Sequence, residues 1–340
     1  LMITKVKNKF NKFIANYKKN SLVKDVFKNV ELVQKQVQNK DIVLLCLLQN
    51  GTYFIPSFME HYTALGFKNF VFLDNDSSDN SVELLKEYNC TILKTNLPYK
   101  TYKWVFKQYL VKKFGVKKWS LYVDIDELWD FPASDKIELT SFVKYLDKNN
   151  FNAVQSHMLD MFSGESLNNL MQFKDANLKK AYTYYDNSGL IEKKYTAAYN
   201  TINNPETRHY WGGVHHSIFG IKNIYISKIP LIKWDKTISV HESSHTSTFI
   251  NIADVSTVLL HYKFVLGFYE KARRIIKDGA YWNAGETYKK YLTEIENNEN
   301  LSLKTSNARK FVNCQLLVNE GFLMDSKPYG EFVKNVECVE

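Results

Sequence analysis

The 340-residue sequence predicts an α/β fold built on a doubly wound, mostly parallel sheet. Three observations predict it. Apolar runs of strand length alternate with helical stretches between Asp41 and Gly115. Each run breaks into a polar turn at its far end. A further run, Trp119-Ser-Leu-Tyr-Val-Asp124-Ile-Asp126-Glu127-Leu-Trp129, climbs into three carboxylates and returns to apolar residues. Sheets of this kind bind ligands outside the C-terminal ends of their strands.

Asp41-Ile-Val-Leu-Leu-Cys-Leu-Leu48 is a first strand buried on both faces, ending at the turn Gln49-Asn50-Gly51. Ser57 and Glu60 fit a capping box after Pro56, opening a helix through Leu65 that Gly66 closes in a left-handed conformation. Residues 68–73 form the second strand, which breaks into Asp74-Asn-Asp76-Ser-Ser-Asp79. A helix at about 80–88, a strand at 90–94 and an aromatic helix near 100–114, closed by Gly115, lead into the acidic run.

Past 130 the pattern loosens. Thr140 or Ser141 caps a helix to about 148, and 151–155 is a strand running into His157 and Asp160. Residues 163–205, rich in Tyr, Asn and Lys, form a long loop over the site. Gly212-Gly213 permits a tight turn or a close backbone approach to a ligand. The stretch 229–235 is extended, 264–296 is helical and basic, and the tail beyond 297 carries no legible chemistry.

The acidic run carries the sharpest chemistry. Alternation along a strand sends Asp124 and Asp126 to one side, their Cα atoms about 6–7 Å apart. Two ionised carboxylates that close persist in a buried place only with a positive partner or a shared proton. Oxygen ligands at a strand end suit Mg²⁺ or Mn²⁺, with substrate phosphates completing the shell. The bland alternative is an acidic turn after a strand.

Composition narrows the field. The formal net charge is +9, which suits nucleic acid, an anionic membrane face or phosphorylated small molecules. No zinc-finger or RNP-type motif is present, so nucleic acid is not expected as a partner. No run approaches eighteen apolar residues and the N-terminus lacks an apolar signal region, so a cytoplasmic protein is expected. Cys46, Cys90, Cys314 and Cys338 form no CxxC pair, which suits reduced, buried thiols. Histidines 157, 209, 215, 216, 241, 245 and 261 include His241-x3-His245, but without an H-E-x-x-H pattern a zinc site is not expected. Residues 1–40 carry ten lysines around an amphipathic spacing at Phe10, Phe13, Ile14 and Tyr17. That segment is a candidate for peripheral contact with the inner face of the cytoplasmic membrane. Its rivals are a helix packed on the domain and a homo-oligomer contact.

The polar clusters together resemble the nucleotide-sugar-binding half of GT-A-fold glycosyltransferases of the family 2 type. Leu73 to Asp79 is similar to that family's Asp-rich segment after its second strand, and Asp124-Ile125-Asp126 stands where its D-x-D motif stands. A weaker similarity to a bacterial subgroup continues through Trp211-Gly-Gly, Phe219-Gly, Lys-Ile-Pro-Leu and Leu-Leu-His-Tyr-Lys-Phe. The resemblance implies a GT-A-like catalytic domain at 41–270, with a nucleotide-sugar half at 41–130 and an irregular acceptor half at 131–270. A helical extension follows at 271–340. It further implies a metal-dependent, inverting transfer from a nucleotide diphosphate sugar, UDP-type favoured, to a glycan or glycolipid in capsule or lipopolysaccharide synthesis.

Carried over residue by residue, the resemblance places Asp74 by the nucleoside base and Asp124 near the ribose or the metal. Asp126 becomes the principal ligand of Mn²⁺ or Mg²⁺, His261 completes the shell, and Lys263 contacts a phosphate. Asn50 and Asp76 fall in the nucleoside region, but Gly51 stands where the family has Glu, and Asp76 replaces its usual glycine. Candidate bases for the acceptor hydroxyl are Asp160, Asp186, Asp235 and Glu242. Tyr210 and Trp211 form a candidate sugar platform. Two rivals remain: a nucleotidyl- or phosphotransferase using the same Asp pair, and a non-enzymatic basic binding module.

Overall fold

The computed structural model describes residues 21–36, 42–174, 177–194, 207–235, 238, 250–279 and 285–337. Thirteen strands fall among them. In chain order they are β1 (Glu31–Gln34), β2 (Val43–Leu48), β3 (Asn69–Asn75), β4 (Thr91–Thr95), β5 (Trp119–Asp124), β6 (Glu127–Asp130) and β7 (Ala153–Asp160). There follow β8 (Tyr184–Tyr185), β9 (Leu190–Lys194), β10 (Arg208–Gly212), β11 (Ser227–Lys233), β12 (Thr257–His261) and β13 (Arg309–Lys310).

Nine of these form one sheet in the order β1-β4-β3-β2-β5-β11-β7-β12-β6. Strands β4, β3, β2 and β5 lie side by side in parallel, and β7 and β12 point the same way. Only β1, β11 and β6 run against them. This is the expected mostly parallel α/β sheet.

Both faces are covered, which is why the central strands read as unbroken apolar runs. From β2, Leu44, Cys46 and Leu48 pack into one core with Ile55, Phe58 and Tyr62 of the helix Ile55–Ala64. The alternate residues Val43, Leu45 and Leu47 face a second core with Val105, Phe106 and Tyr109 of the helix Tyr99–Leu110.

Several boundaries differ from the sequence reading. The helix after β2 starts at Ile55 with Phe54 as its cap, so Ser57 lies inside it and accepts instead from the Leu178 backbone N–H at 3.0 Å. The capping-box pattern was therefore coincidental. Glu138, and neither Thr140 nor Ser141, caps the helix Leu139–Lys148. Strand β7 runs to Asp160, so His157 and Asp160 belong to the sheet.

The 163–205 stretch is not a structureless loop where it is described. It holds a 3₁₀ turn at Leu167–Phe173, a short helix at Leu178–Ala181, and β8 and β9, with Leu167, Leu170, Tyr182 and Tyr185 in the core. Nor does the expected break at residue 40 divide the fold. Strand β1 belongs to the sheet, and Phe27, on a helix at 21–29, packs edge-on to Tyr109 at 4.8 Å. The Phe10–Tyr17 spacing, Asp41, His241, Glu242, His245 and Cys338 lie outside the described residues.

The glycine pair admits another part of the chain rather than a ligand. A Cβ on Gly189 would sit 2.4 Å from the Gly213 carbonyl oxygen, and one on Gly212 would sit 2.6 Å from that of Gly189. Gly212 and Gly213 also hold positive φ, at 86° and 63°. Gly189→Ala must push β9 from the turn after β10, and should lower stability by about 1–3 kcal/mol in urea unfolding, the usual cost of overpacking.

Candidate functional site

The register gathers the polar strand ends at one edge. Leu48 stands opposite Asp74, Leu47 opposite Asp124, and Asp160 opposite His261. The antiparallel strands deliver their first residues there too. Glu127 of β6 pairs with His261, and Lys228 near the start of β11 reaches Asp124.

Asp124 and Asp126 do not share a strand. Strand β5 ends at Asp124, a two-residue turn holds Ile125 and Asp126, and β6 begins at Glu127. The alternation argument for the pair therefore fails, because the second carboxylate sits in a turn. The positive partners that the pair requires are two lysines. Lys228 Nζ lies 3.2 Å from Asp124 Oδ2 and also binds Glu127 Oε1. Glu127 Oε2 accepts from the Asp124 backbone N–H at 3.1 Å, which ties the turn together. Lys271 Nζ lies 2.9 Å from Asp126 Oδ2. Burial alone would raise the Asp126 carboxyl, but Lys271 and then His261 outweigh it and hold it well below the usual carboxylate range.

Asp160 is enclosed by two imidazoles. His261 Nδ1 lies 2.6 Å from its Oδ1 and His215 Nε2 lies 3.1 Å from its Oδ2. Tyr291 OH is 2.9 Å from His215 Nδ1, and Lys263 Nζ donates to Tyr291 OH at 3.3 Å. Each neutral imidazole has one N–H and one lone pair, so the chain runs in one direction. Lys263 donates to Tyr291, Tyr291 to His215, and His215 to Asp160. Asp160 also accepts from His261 Nδ1–H, which turns His261 Nε2 toward Asp126. Against the burial that would raise it, His215 and His261 hold the Asp160 carboxyl well below its ordinary range. Burial holds His215 neutral. Both Asp160 oxygens are thus occupied by imidazoles, which makes it a support for the two rings in this structure.

The loops after β2 and β3 are stitched to each other. Asp74 is fully buried and accepts from the Ser77 N–H at 3.1 Å and from the Ser77 hydroxyl. The Ser77 hydroxyl oxygen accepts from the Asn50 N–H at 2.8 Å, while Asn50 Oδ1 accepts from the Ser78 N–H at 2.8 Å. Asp74 therefore organises the loop and is not open to a base as the resemblance implied. Asp76 adopts φ of 59°, the left-handed conformation that a glycine would take most easily. It is exposed, and aspartate tolerates that region better than most residues.

A cavity of about 930 Å³ opens beside this edge, with Ile125 and Lys271 in its wall. Its charged lining is Lys174, Lys263, Lys271 and Arg274 against Asp79 and Glu270, and Tyr53, Phe54 and Phe268 add aromatic surface. Four cations against two carboxylates suit a polyanion. Asp79 and Glu270 are both exposed, but Asp79 is committed to Ser81 and to the Thr52 N–H at 3.1 Å.

The other expected site residues lie apart. Asp235 follows the far end of β11, where Lys233 pairs with Trp119 at the start of β5, so it occupies the opposite edge of the sheet. Asp186 accepts from the Ser188 N–H at 2.8 Å and from Thr305 Oγ1 at 3.0 Å, holding a turn. Tyr210 is buried and stacks on Phe322, so it fills core rather than presenting a face to sugar. Trp211 packs on Tyr225, with Lys193 4.7 Å from its ring centre. Lys228 and Lys271 were missed as site residues: each reaches its partner across more than 100 positions, and no local pattern marks them.

The metal expectation can be tested on the ligand set. Among the described residues no three His, Cys, Asp or Glu side chains stand ready around one point. Asp126 Oδ2 and His261 Nε2, however, face each other across 4.0 Å, a gap one ion with bonds of about 2.0–2.2 Å can bridge. Two protein ligands fit a Mg²⁺- or Mn²⁺-type ion whose shell is completed by substrate phosphates. They do not make a self-sufficient cage.

No protein-family model matches the chain, and no curated protein matches it. Among solved structures, S. aureus TarS aligns at 15% identity and TM-score 0.28, over 36% of this chain and 22% of TarS. TarS residues 1–349 align at 11% identity and TM-score 0.32, over 76% and 72%. UDP-glucose pyrophosphorylase from Acinetobacter baumanii aligns at 9% identity and TM-score 0.29, over 76% and 100%. The chain thus spans about a fifth of full-length TarS. Likenesses this loose do not bear on activity.

On the other side of the edge, Lys107 is buried with its Nζ 5.0 Å from the centre of the Tyr122 ring. Burial, and then the like charge of Lys228, push its ammonium down to about 7. The unfolded chain keeps that proton to about pH 10.4. Between pH 7 and 10 the unfolded state therefore binds more protons at Lys107, and the contribution of this residue to stability rises with pH. Each tenfold change in proton affinity is worth about 1.4 kcal/mol. Lys107→Met should be most stabilising below pH 7, with the gain shrinking by a few kcal/mol toward pH 10, as read from urea midpoints across that range.

Proposed function

We propose that the chain is a metal-dependent glycosyltransferase, moving a sugar from a nucleotide diphosphate donor, UDP-type favoured, to a glycan or glycolipid acceptor with inversion. The observation that carries this reading is the cationic cavity opening beside Asp126 and His261 at the C-terminal edge of the sheet. Capsule or lipopolysaccharide synthesis follows from the resemblance alone. Peripheral membrane contact through residues 1–40 rests on the lysines and amphipathic spacing of that segment; no helix among the described residues is long and apolar enough to cross a membrane.

A divalent ion bound by Asp126 and His261 would act there as a Lewis acid on the leaving diphosphate. The chain's own residues do the remainder. Asp160 fixes the His261 ring through Nδ1 and keeps its Nε2 turned toward Asp126. Lys263, Lys174 and Arg274 line the cavity where the phosphates would lie. Asp124, half-exposed although paired with Lys228, keeps an open side for a ribose hydroxyl. Glu270 takes the role of base toward the acceptor hydroxyl, since the described alternatives are committed elsewhere. Its place in the first turn of the helix Phe268–Asp278 favours the anion it must present.

Three measurements check this. In a calorimetric titration with UDP and Mn²⁺ the wild-type protein should bind and Asp126→Ala should not. Absence of Mn²⁺-dependent UDP binding in the wild type would sink the reading, and release of pyrophosphate instead of nucleoside diphosphate from a nucleotide-sugar panel would favour a nucleotidyltransferase. Glu270→Gln should keep UDP binding and lose about 10²–10⁴-fold in kcat, the usual contribution of a general base. An unchanged kcat would remove Glu270 from the chemistry.

A further inference from the structure

Lys271 sits on the oxygen that the proposed ion needs. Its Nζ is 2.9 Å from Asp126 Oδ2, the same atom that faces His261 Nε2 across 4.0 Å. The lysine springs from the helix Phe268–Asp278 and lines the cavity with Lys263 and Arg274. Its side chain is 30% exposed, whereas that of Lys228 is 9% exposed and bridges two carboxylates. Two cations cannot both occupy one carboxylate oxygen at bonding distance without strong repulsion. A divalent ion entering between Asp126 and His261 must therefore dislodge the ammonium.

We propose that Lys271 is an exchangeable latch: it neutralises Asp126 in the ligand-free protein, cedes that oxygen to the divalent ion, and turns its ammonium onto the donor diphosphate. This rests on the nucleotide-diphosphate reading above. Displacing the ammonium opposes metal binding when no phosphate is present to receive it. With the diphosphate in place, the displaced lysine gains a new anionic partner. Metal and nucleotide then bind cooperatively, and by linkage each raises the affinity for the other by the same factor. The latch also keeps a buried carboxylate from standing unpaired before the ion arrives.

The proposal makes predictions of opposite sign for one substitution. Mn²⁺ binding is followed by electron paramagnetic resonance and calorimetry, with and without UDP, in wild type, Lys271→Met and Lys271→Arg. Lys271→Met should bind Mn²⁺ alone about tenfold more tightly, yet bind UDP about tenfold more weakly at saturating Mn²⁺, with the coupling between them reduced. Lys271→Arg, which keeps the charge, should show Mn²⁺ affinity near wild type. A residue that merely supported the fold would weaken both ligands together.

Equal or weaker Mn²⁺ binding by Lys271→Met, with an unchanged melting temperature, overturns the latch. Should Lys271→Met fail to fold, Lys271→Gln takes its place under the same criterion. If the wild type shows no Mn²⁺-dependent UDP binding while Lys271→Met gains Mn²⁺ affinity, the exchange at Asp126 stands and the nucleotide reading fails. If wild type and variant bind both ligands alike, the nucleotide reading stands and the latch fails.

Discussion

The acidic edge of the sheet depends on Lys228. Asp124 and Glu127 approach the same buried place from two strand ends, and one ammonium answers both. Without it two carboxylates would share a low-dielectric site, and removing one partner of such a buried cluster commonly costs about 3–5 kcal/mol. The lysine can be there only because β11 runs antiparallel between β5 and β7, bringing its first residues to the edge where the parallel strands end. The antiparallel insertion is thus a requirement of the site's charge balance.

The second organising feature is the donor chain from Lys263 through Tyr291 and His215 to Asp160. It reaches from the helix Glu286–Asn297 to the sheet edge, and it is buried for most of its length. Satisfied polar groups in such a place rigidify what they touch. Here they set the orientation of His261, the imidazole that faces Asp126 among the described residues. The helix Glu286–Asn297 thus helps hold His261 in place at the sheet edge.

The loops after β2 and β3 show how sequence departures can leave geometry intact. Asp76 stands where the resembling family has glycine, and it still adopts the left-handed φ that position demands. Asp74 keeps its place too, but its carboxylate faces Ser77 rather than an open cavity. A familiar residue at a familiar position has been given structural work, since full burial leaves it no route to a ligand.

Alternating apolar runs and turns determined the strand–helix order from β2 to β5, because buried parallel strands need continuous hydrophobicity and their turns need polar residues. They also located the edge where the Asp74–Asp79 and Asp124–Glu127 clusters lie, while His261 came from the resemblance. Tertiary structure alone decided the rest. Whether Asp160 is a base or a support depends on His215, 55 residues along the chain, the fate of Asp235 depends on which sheet edge its strand reaches, and that of Asp186 on Thr305 far along the chain. The register of an antiparallel strand and the lean of a lysine from a helix are set by packing between distant segments. No local spacing encodes them, so the carboxylates were legible in the sequence and the cations that answer them were not.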